Sequence, residues 1–322
     1  MKQFIILLCI TLSLFGCKSN TKETQKQFFL PPATTYNYAE IDSVKLFYRE
    51  AGKRTNPTIV LLHGYPSSSH SYRNLIPMLA SHYHVIAPDN LGSGYSTHLD
   101  PATTTYTFDL LADYTEKLIN SLQIENYVMY MQDFGAPVGY RMMMNNPNRI
   151  KALIVQNANA YLDGLTPKRR EFFRSAQTDT SQAKHDFLFG LTGEDAIINM
   201  QYLFDLDSTN IHIQSPDAWT HDLAFLTSES DREIQVQLFQ DYNTNLIRYP
   251  KWQTMLRQNQ PKTLIVWGKK DLKFNADGAR AYLRDLPKAE LHLLDAGHFA
   301  VEEKTREIGK LILEFLSRNK IE

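Results

Sequence analysis

The chain has 322 residues and a net charge of −1, with 43% hydrophobic and 21% charged residues. That suffices for a large core, in one big domain or one domain with an insertion. A pI of about 6.8 leaves no electrostatic footprint for nucleic acid or anionic lipid, and no internal repeat or long low-complexity run marks a solenoid or a disordered protein.

The N-terminus stands apart from the rest. Met1-Lys2 is followed by an apolar run from Phe4 to Phe15, then Gly16-Cys17. The run is too short for a permanent membrane span and reads as an export signal. Leu14-Phe15-Gly16-Cys17 resembles a bacterial lipoprotein box, which implies cleavage before Cys17 and lipidation of its thiol. Residues 18–35 read as a tether. The expected location is the cell envelope, lipid-anchored and facing the periplasm, or otherwise outside the cell. Cys9 falls in the segment to be removed, so no disulfide is expected in the mature chain.

Tyr36–Glu40 and Val44–Glu50 alternate in polarity and predict an antiparallel hairpin. Thr58–Leu62 predicts a buried strand that ends at His63-Gly64-Tyr65-Pro66. Ser71–Ala80 has helical periodicity. His84–Asp89 is the next strand, followed by a Gly92-Ser93-Gly94 turn that lacks the lysine and spacing of a phosphate loop. Phe108–Leu122 predicts a helix with an apolar side. Tyr127–Gln132 is another strand, Asp133 is a polar tip, and a helix opens near Gly135. Strand, polar residue, small residue, helix is the outline of a nucleophile elbow. Ile150–Gln156, Thr263–Trp267 and Glu290–Leu294 are further strands, and Ile308–Leu316 a closing amphipathic helix. Apolar strands without alternation, separated by helices, predict a parallel sheet covered on both faces. Between residues 161 and 250 that pattern breaks into aromatic-rich helical stretches, including Lys168–Arg174 and Ile234–Tyr242. This segment is expected to form a cap over the carboxyl ends of the strands. The predicted layout is residues 36–160 for the first part of the core, 161–250 for the cap and 251–322 for the second part.

The elbow residue is an acid. A carboxylic acid is ionised near neutral pH and attacks an alkyl carbon without needing a base, giving an ester that water must cleave. Such a residue also caps helices, so Asp133 needs partners to count as a nucleophile. Two follow later strands: Asp271 in Trp267-Gly268-Lys269-Lys270-Asp271, and His298 in Asp295-Ala296-Gly297-His298-Phe299. Histidine takes a proton from water near pH 7, and a second acid fixes its tautomer. Asp295 and Asp163 are weaker substitutes for that acid. The backbone N–H groups of Tyr65 and Phe134 are placed to form an oxyanion hole, while His63 reads as structural.

Together these segments resemble the α/β-hydrolase superfamily, and within it the branch of epoxide hydrolases and haloalkane dehalogenases. The resemblance covers Tyr36 to the C-terminus. It rests on His63-Gly-Tyr-Pro66, Asp89–Ser96, Gln132-Asp-Phe-Gly135, Gly268–Asp271 and Gly297-His298-Phe299 in that order. It implies the α/β-hydrolase fold with an inserted helical cap, no cofactor, and a two-step reaction through an alkyl-enzyme ester. The substrate class would be small, apolar organic molecules, with water as co-substrate. Phe134 stands where both branches usually carry Trp, whose N–H holds a halide in the dehalogenases; phenylalanine donates no such bond. Epoxide hydrolases protonate the opening oxygen with cap tyrosines. Of Tyr161, Tyr202, Tyr242 and Tyr249, the candidates are Tyr249 and then Tyr242, with local packing as the competing reading of either. Trp252 and Trp219 keep dehalogenation open as the alternative.

A binding lipoprotein without catalysis is the remote alternative, and it has no use for Asp271 and His298 beside Asp133. No Gly-x-Ser-x-Gly occurs at the elbow, which disfavours a serine esterase. The pair His82 and His84, without any His-Glu-x-x-His, gives no metalloenzyme signature.

Overall fold

A computed structural model describes residues 32–207 and 211–321. Cys17 and the whole lipoprotein-like segment therefore lie outside the described residues. Among these residues no helix is long and apolar enough to cross a membrane.

Eight strands form one sheet: β1 Thr35–Ile41, β2 Val44–Ala51, β3 Thr58–Leu62, β4 His84–Pro88, β5 Tyr127–Gln132, β6 Ile150–Gln156, β7 Thr263–Gly268 and β8 Glu290–Leu294. Their spatial order is β1-β2-β4-β3-β5-β6-β7-β8. The β1–β2 and β2–β4 pairs are antiparallel, and every pair from β4 through β3 to β8 is parallel. β3, β4, β5 and β7 are buried along their whole length. That is why they read as unbroken apolar runs, with helices on both faces.

On the core, α1 Ile76–Leu79, α2 Phe108–Ser121 and α3 Gly135–Asn145 follow β3, β4 and β5. The predicted helix over Ser71–Ala80 is shorter in fact: a 3₁₀ turn at Ser69–Tyr72, then α1. Between β6 and β7 come α4 Pro167–Thr178, α5 Gln182–Leu191, a π-helical turn at Ala196–Tyr202, α6 Pro216–Leu223, α7 Glu229–Asp241 and α8 Asn243–Asn259. The last of these runs straight through Pro250, so the boundary placed there falls inside a helix. The core resumes with α9 Ala276–Ala281, α10 Ala300–Glu303 and α11 Thr305–Arg318.

Two apolar layers sandwich the sheet. One holds Val60, Met129, Val155 and Ile265 with α2, α3 and aromatic residues of the helical insertion. The other holds Ile59, Tyr130, Ile154 and Val266 with α1 and α11. Successive strand residues thus point to opposite layers. All strand tips that matter chemically emerge at the same end, because the strands run parallel.

Candidate active site

Asp133 sits at the tip of β5 with φ +48°, a left-handed conformation rare for a residue with a side chain. Such strain costs about 1–3 kcal/mol and persists only where surroundings enforce it. The enforcement is visible. Asp133 N donates to the Asn157 carbonyl at 3.3 Å, and Ala136 N donates to the Asp133 carbonyl at 3.0 Å. A Cβ on Gly135 would lie 2.2 Å from the Leu62 carbonyl oxygen, so only glycine lets α3 pack this close to β3.

The two carboxylate oxygens of Asp133 face different partners. The Tyr65 N–H donates to Oδ1 at 2.8 Å. Oδ2 lies 3.4 Å from His298 Nε2, a charge contact longer than a good hydrogen bond. The N–H of Phe134 donates to nothing among the described residues. On its far side, His298 Nδ1 lies 2.8 Å from Asp271 Oδ2. Asp133, His298 and Asp271 are thus brought together in the expected order, all three buried.

Asp271 is held from every direction. Its Oδ1 accepts the N–H groups of Lys273 and Phe274, both at 2.8 Å. Its Oδ2 also accepts the Asn157 side-chain amide at 2.7 Å. Burial alone would raise its pKa; the His298 charge and the hydrogen bonds override that and hold it below the usual carboxylate range. For His298 the signs reverse. Burial alone would lower its pKa, but Asp271, helped by Asp133, holds it up to about 9.

Several residues of this arrangement escaped the sequence reading. Asn157, at the tip of β6 with φ +45°, also accepts the Gly268 N–H on Oδ1 at 3.1 Å, which ties β6 to β7. Asp205, between the insertion's helices, accepts the His298 N–H at 3.0 Å and the Leu272 N–H at 3.2 Å. Lys273 Nζ stands 3.5 Å from Asp205. No local pattern announces these contacts, since Asp205 is 93 residues from His298 in sequence; the single clue was an Asn at the end of an apolar strand.

The weaker acid candidates fall away. Asp163 is tied to Arg284 at 2.7 Å, and Asp295 lies at the surface between Lys269 and Lys270, 3.2 Å from each. His63 is structural as expected: its Nε2 accepts the Asn90 N–H at 3.0 Å. His84 pairs with Glu50 at 2.8 Å. Among the described residues no cluster of His, Cys, Asp or Glu forms a metal centre.

Aromatic rings close the site from above. The Phe134 ring centroid lies 5.7 Å from Tyr65, 5.3 Å from Tyr242, 6.0 Å from Phe239 and 5.0 Å from Phe108. Tyr242 stacks on Phe173 at 3.9 Å. Both Tyr242 and Tyr249 are buried, and burial pushes both phenols up, with the Asp133 charge adding to it. Among the described residues the Tyr249 hydroxyl makes no hydrogen bond of normal geometry, although Tyr242 lies near enough to influence its ionisation. Tyr161 donates to Asp285 and Tyr202 to Asp222, at 2.7 and 2.5 Å. The tryptophans lie elsewhere. Trp252 stacks on Tyr140 at 4.8 Å and borders a surface cleft with Asp109, Arg141 and Arg248. Trp219 packs on Tyr202 at 5.9 Å. The Trp267 N–H is taken by the Phe274 carbonyl at 2.9 Å.

Comparison with known proteins agrees with this geometry. A family described as the alpha/beta hydrolase fold matches residues 57–305. An uncharacterized hydrolase of Saccharomyces cerevisiae is 37% identical over 86% of this chain and 95% of its own length. A haloalkane dehalogenase of Psychrobacter cryohalolentis is 25% identical over 87% of this chain and 90% of its own. Among solved structures, the epoxide hydrolase CorEH superposes with a TM-score of 0.71 at 20% identity, over 89% of this chain and 99% of that one. The chain is an enzyme of the α/β-hydrolase superfamily.

Proposed function

We propose that this hydrolase opens epoxides to diols through a covalent ester on Asp133. The observation that carries the ester route is the division of labour at that carboxylate. Tyr65 N–H grips Oδ1 at 2.8 Å, while Oδ2 is left beside His298. In the first step Oδ2 attacks an epoxide carbon, the carbon–oxygen bond breaks, and a phenol proton goes to the released oxygen. In the second step His298 takes a proton from water, which adds to the Asp133 carbonyl carbon. The negative oxygen so formed rests on the N–H groups of Tyr65 and Phe134. Collapse releases the diol, and the proton returns to the phenolate.

Esterification also changes the base. Asp133 is among the charges that hold the imidazole up to about 9. Once it is an uncharged ester, His298 gives up its proton more easily and can accept one from water.

The unpartnered phenol of Tyr249 favours an epoxide over a halide, with Tyr242 next in line. Halide release needs a side-chain N–H near the nucleophile; Phe134 has none, and the Trp267 N–H is occupied. Dehalogenation is the second reading, supported by the relatives that carry that name.

The test is His298→Gln. Mixed with an epoxide panel, it should gain the mass of one substrate molecule and keep it. An unmodified mass with every epoxide and haloalkane would exclude the ester. We also read Cys17 as lipidated after export; incorporation of labelled palmitate that survives Cys17→Ser would rule that out.

A further inference from the structure

The roof over Asp133 carries a cation without a counterion. In α4, Arg169, Phe172 and Phe173 are spaced i, i+3 and i+4, and so share one face. The Phe173 ring stacks on Tyr242, and the Phe172 ring lies 6.2 Å from Phe239. Tyr242 and Phe239 in turn touch Phe134, next to the nucleophile. Helical side chains lean toward the N-terminus. That turns the Arg169 side chain back toward the start of α4 at Pro167. Its guanidinium carbon lies 5.6 Å from the Phe172 centroid.

The other arginines of α4 are occupied. Arg170 donates to the Leu165 carbonyl at 2.9 Å, and Arg174 pairs with Glu171 at 2.5 Å. The half-buried Arg169 guanidinium makes no hydrogen bond or ion pair among the described residues. Burial pulls its pKa down, and the carboxylates it feels are those of the site: Asp271, Asp133 and Asp205.

A guanidinium withdrawn from water with no bonded partner is costly, and its planar fork matches a carboxylate. A single positive group beside several aspartates suits a monoanion better than a phosphate dianion. We propose that Arg169, poised on the cap face above Asp133, receives a carboxylate carried by the substrate. The enzyme then acts on oxirane carboxylates such as 2,3-epoxy acids, apolar apart from that one group. The epoxide carbon lies at Asp133 and the acid end under α4. This rests on the ester route above for its chemistry, but not for its binding.

The test separates the two. Binding of phenylacetate and of neutral phenylacetamide is measured by calorimetry on the whole protein, for the parent, Arg169→Gln and Arg169→Lys. The acid should bind at least about ten-fold tighter than the amide, the difference expected of a charge-assisted pair. Arg169→Gln should erase that gap, and Arg169→Lys should keep part of it, since lysine offers charge without the fork. Turnover of 3-phenylglycidate and its methyl ester should then diverge. Arg169→Gln raises KM for the acid about ten-fold or more and leaves the ester within about three-fold. Equal binding of acid and amide by the parent overturns the proposal. So does an equal loss on both substrates, because a merely charge-balancing arginine would act through His298 on either. If phenylacetate binds through Arg169 and no epoxide is ever opened, the ester route fails and the carboxylate site stands.

Discussion

Replacing Asp271 with Asn changes one atom and tests the whole relay. Asp271 Oδ1 accepts two backbone N–H groups at 2.8 Å, so the amide oxygen of the variant must take that side. Its NH2 then faces the Asn157 side-chain amide and His298 Nδ1, two donors previously bonded at 2.7 and 2.8 Å. Hydrogen bonds to a charged group contribute about 1.5–3 kcal/mol each, so losing both costs about 3–6 kcal/mol. The histidine escapes by moving its proton to Nε2 and accepting on Nδ1. That tautomer has no basic nitrogen toward the water. Expressed in the barrier, the loss is about 10²- to 10⁴-fold in ester hydrolysis. The ester-forming step, which needs no base, should survive. Rapid-quench kinetics with intact mass would then show a burst of ester followed by slow release, in a protein whose circular dichroism is unchanged. Steady-state turnover within ten-fold of the parent, or no accumulating ester, would refute this account of Asp271.

Four further outcomes follow from the geometry. Asp133→Asn imitates the uncharged ester, so the His298 imidazole, followed by NMR, should titrate below the parent's value of about 9; an unchanged midpoint would mean Asp133 does not hold that proton. Because that value is raised above the ordinary 6.5, His298 stabilises the fold fully below about pH 6.5 and loses this contribution as pH climbs through about 9; urea melts of the parent and His298→Gln should therefore converge on the alkaline side. Gly268→Ala would put a Cβ 1.9 Å from the Gly297 carbonyl oxygen, a backbone clash that should cost about 1–3 kcal/mol or more, and an unaltered melting temperature would show that the β7 tip yields freely. Tyr249→Phe should slow epoxide opening at least about ten-fold while sparing any halide release; equal loss on both would strip Tyr249 of its acid role.

Much of this was legible because burial leaves a simple trace. A strand covered on both faces must be apolar throughout, and β3, β5 and β7 announced themselves that way. Asp133, Asp271 and His298 were legible because each polar residue interrupts such a run or its exit turn. The insertion was less so. α5, the Ala196–Tyr202 turn and α6 escaped the reading, because short helices resting on a few buried residues leave no clear period. The boundary expected at Pro250 lies inside α8; packing of Tyr249, Trp252 and Leu256 holds the helix together around it. Asp205 and Arg169 were invisible for a different reason. Their significance comes from what the folded chain sets beside them, and neither has a chemical partner nearby in sequence.

The bond between Asn157 and Asp271 joins the tips of two neighbouring strands through one amide and one acid. The two side chains have nearly the same shape, an amide donating to a carboxylate. A reciprocal exchange would move the negative charge to the tip of β6 while keeping the shape of the pair, and so would ask whether the imidazole can be served from the adjacent strand.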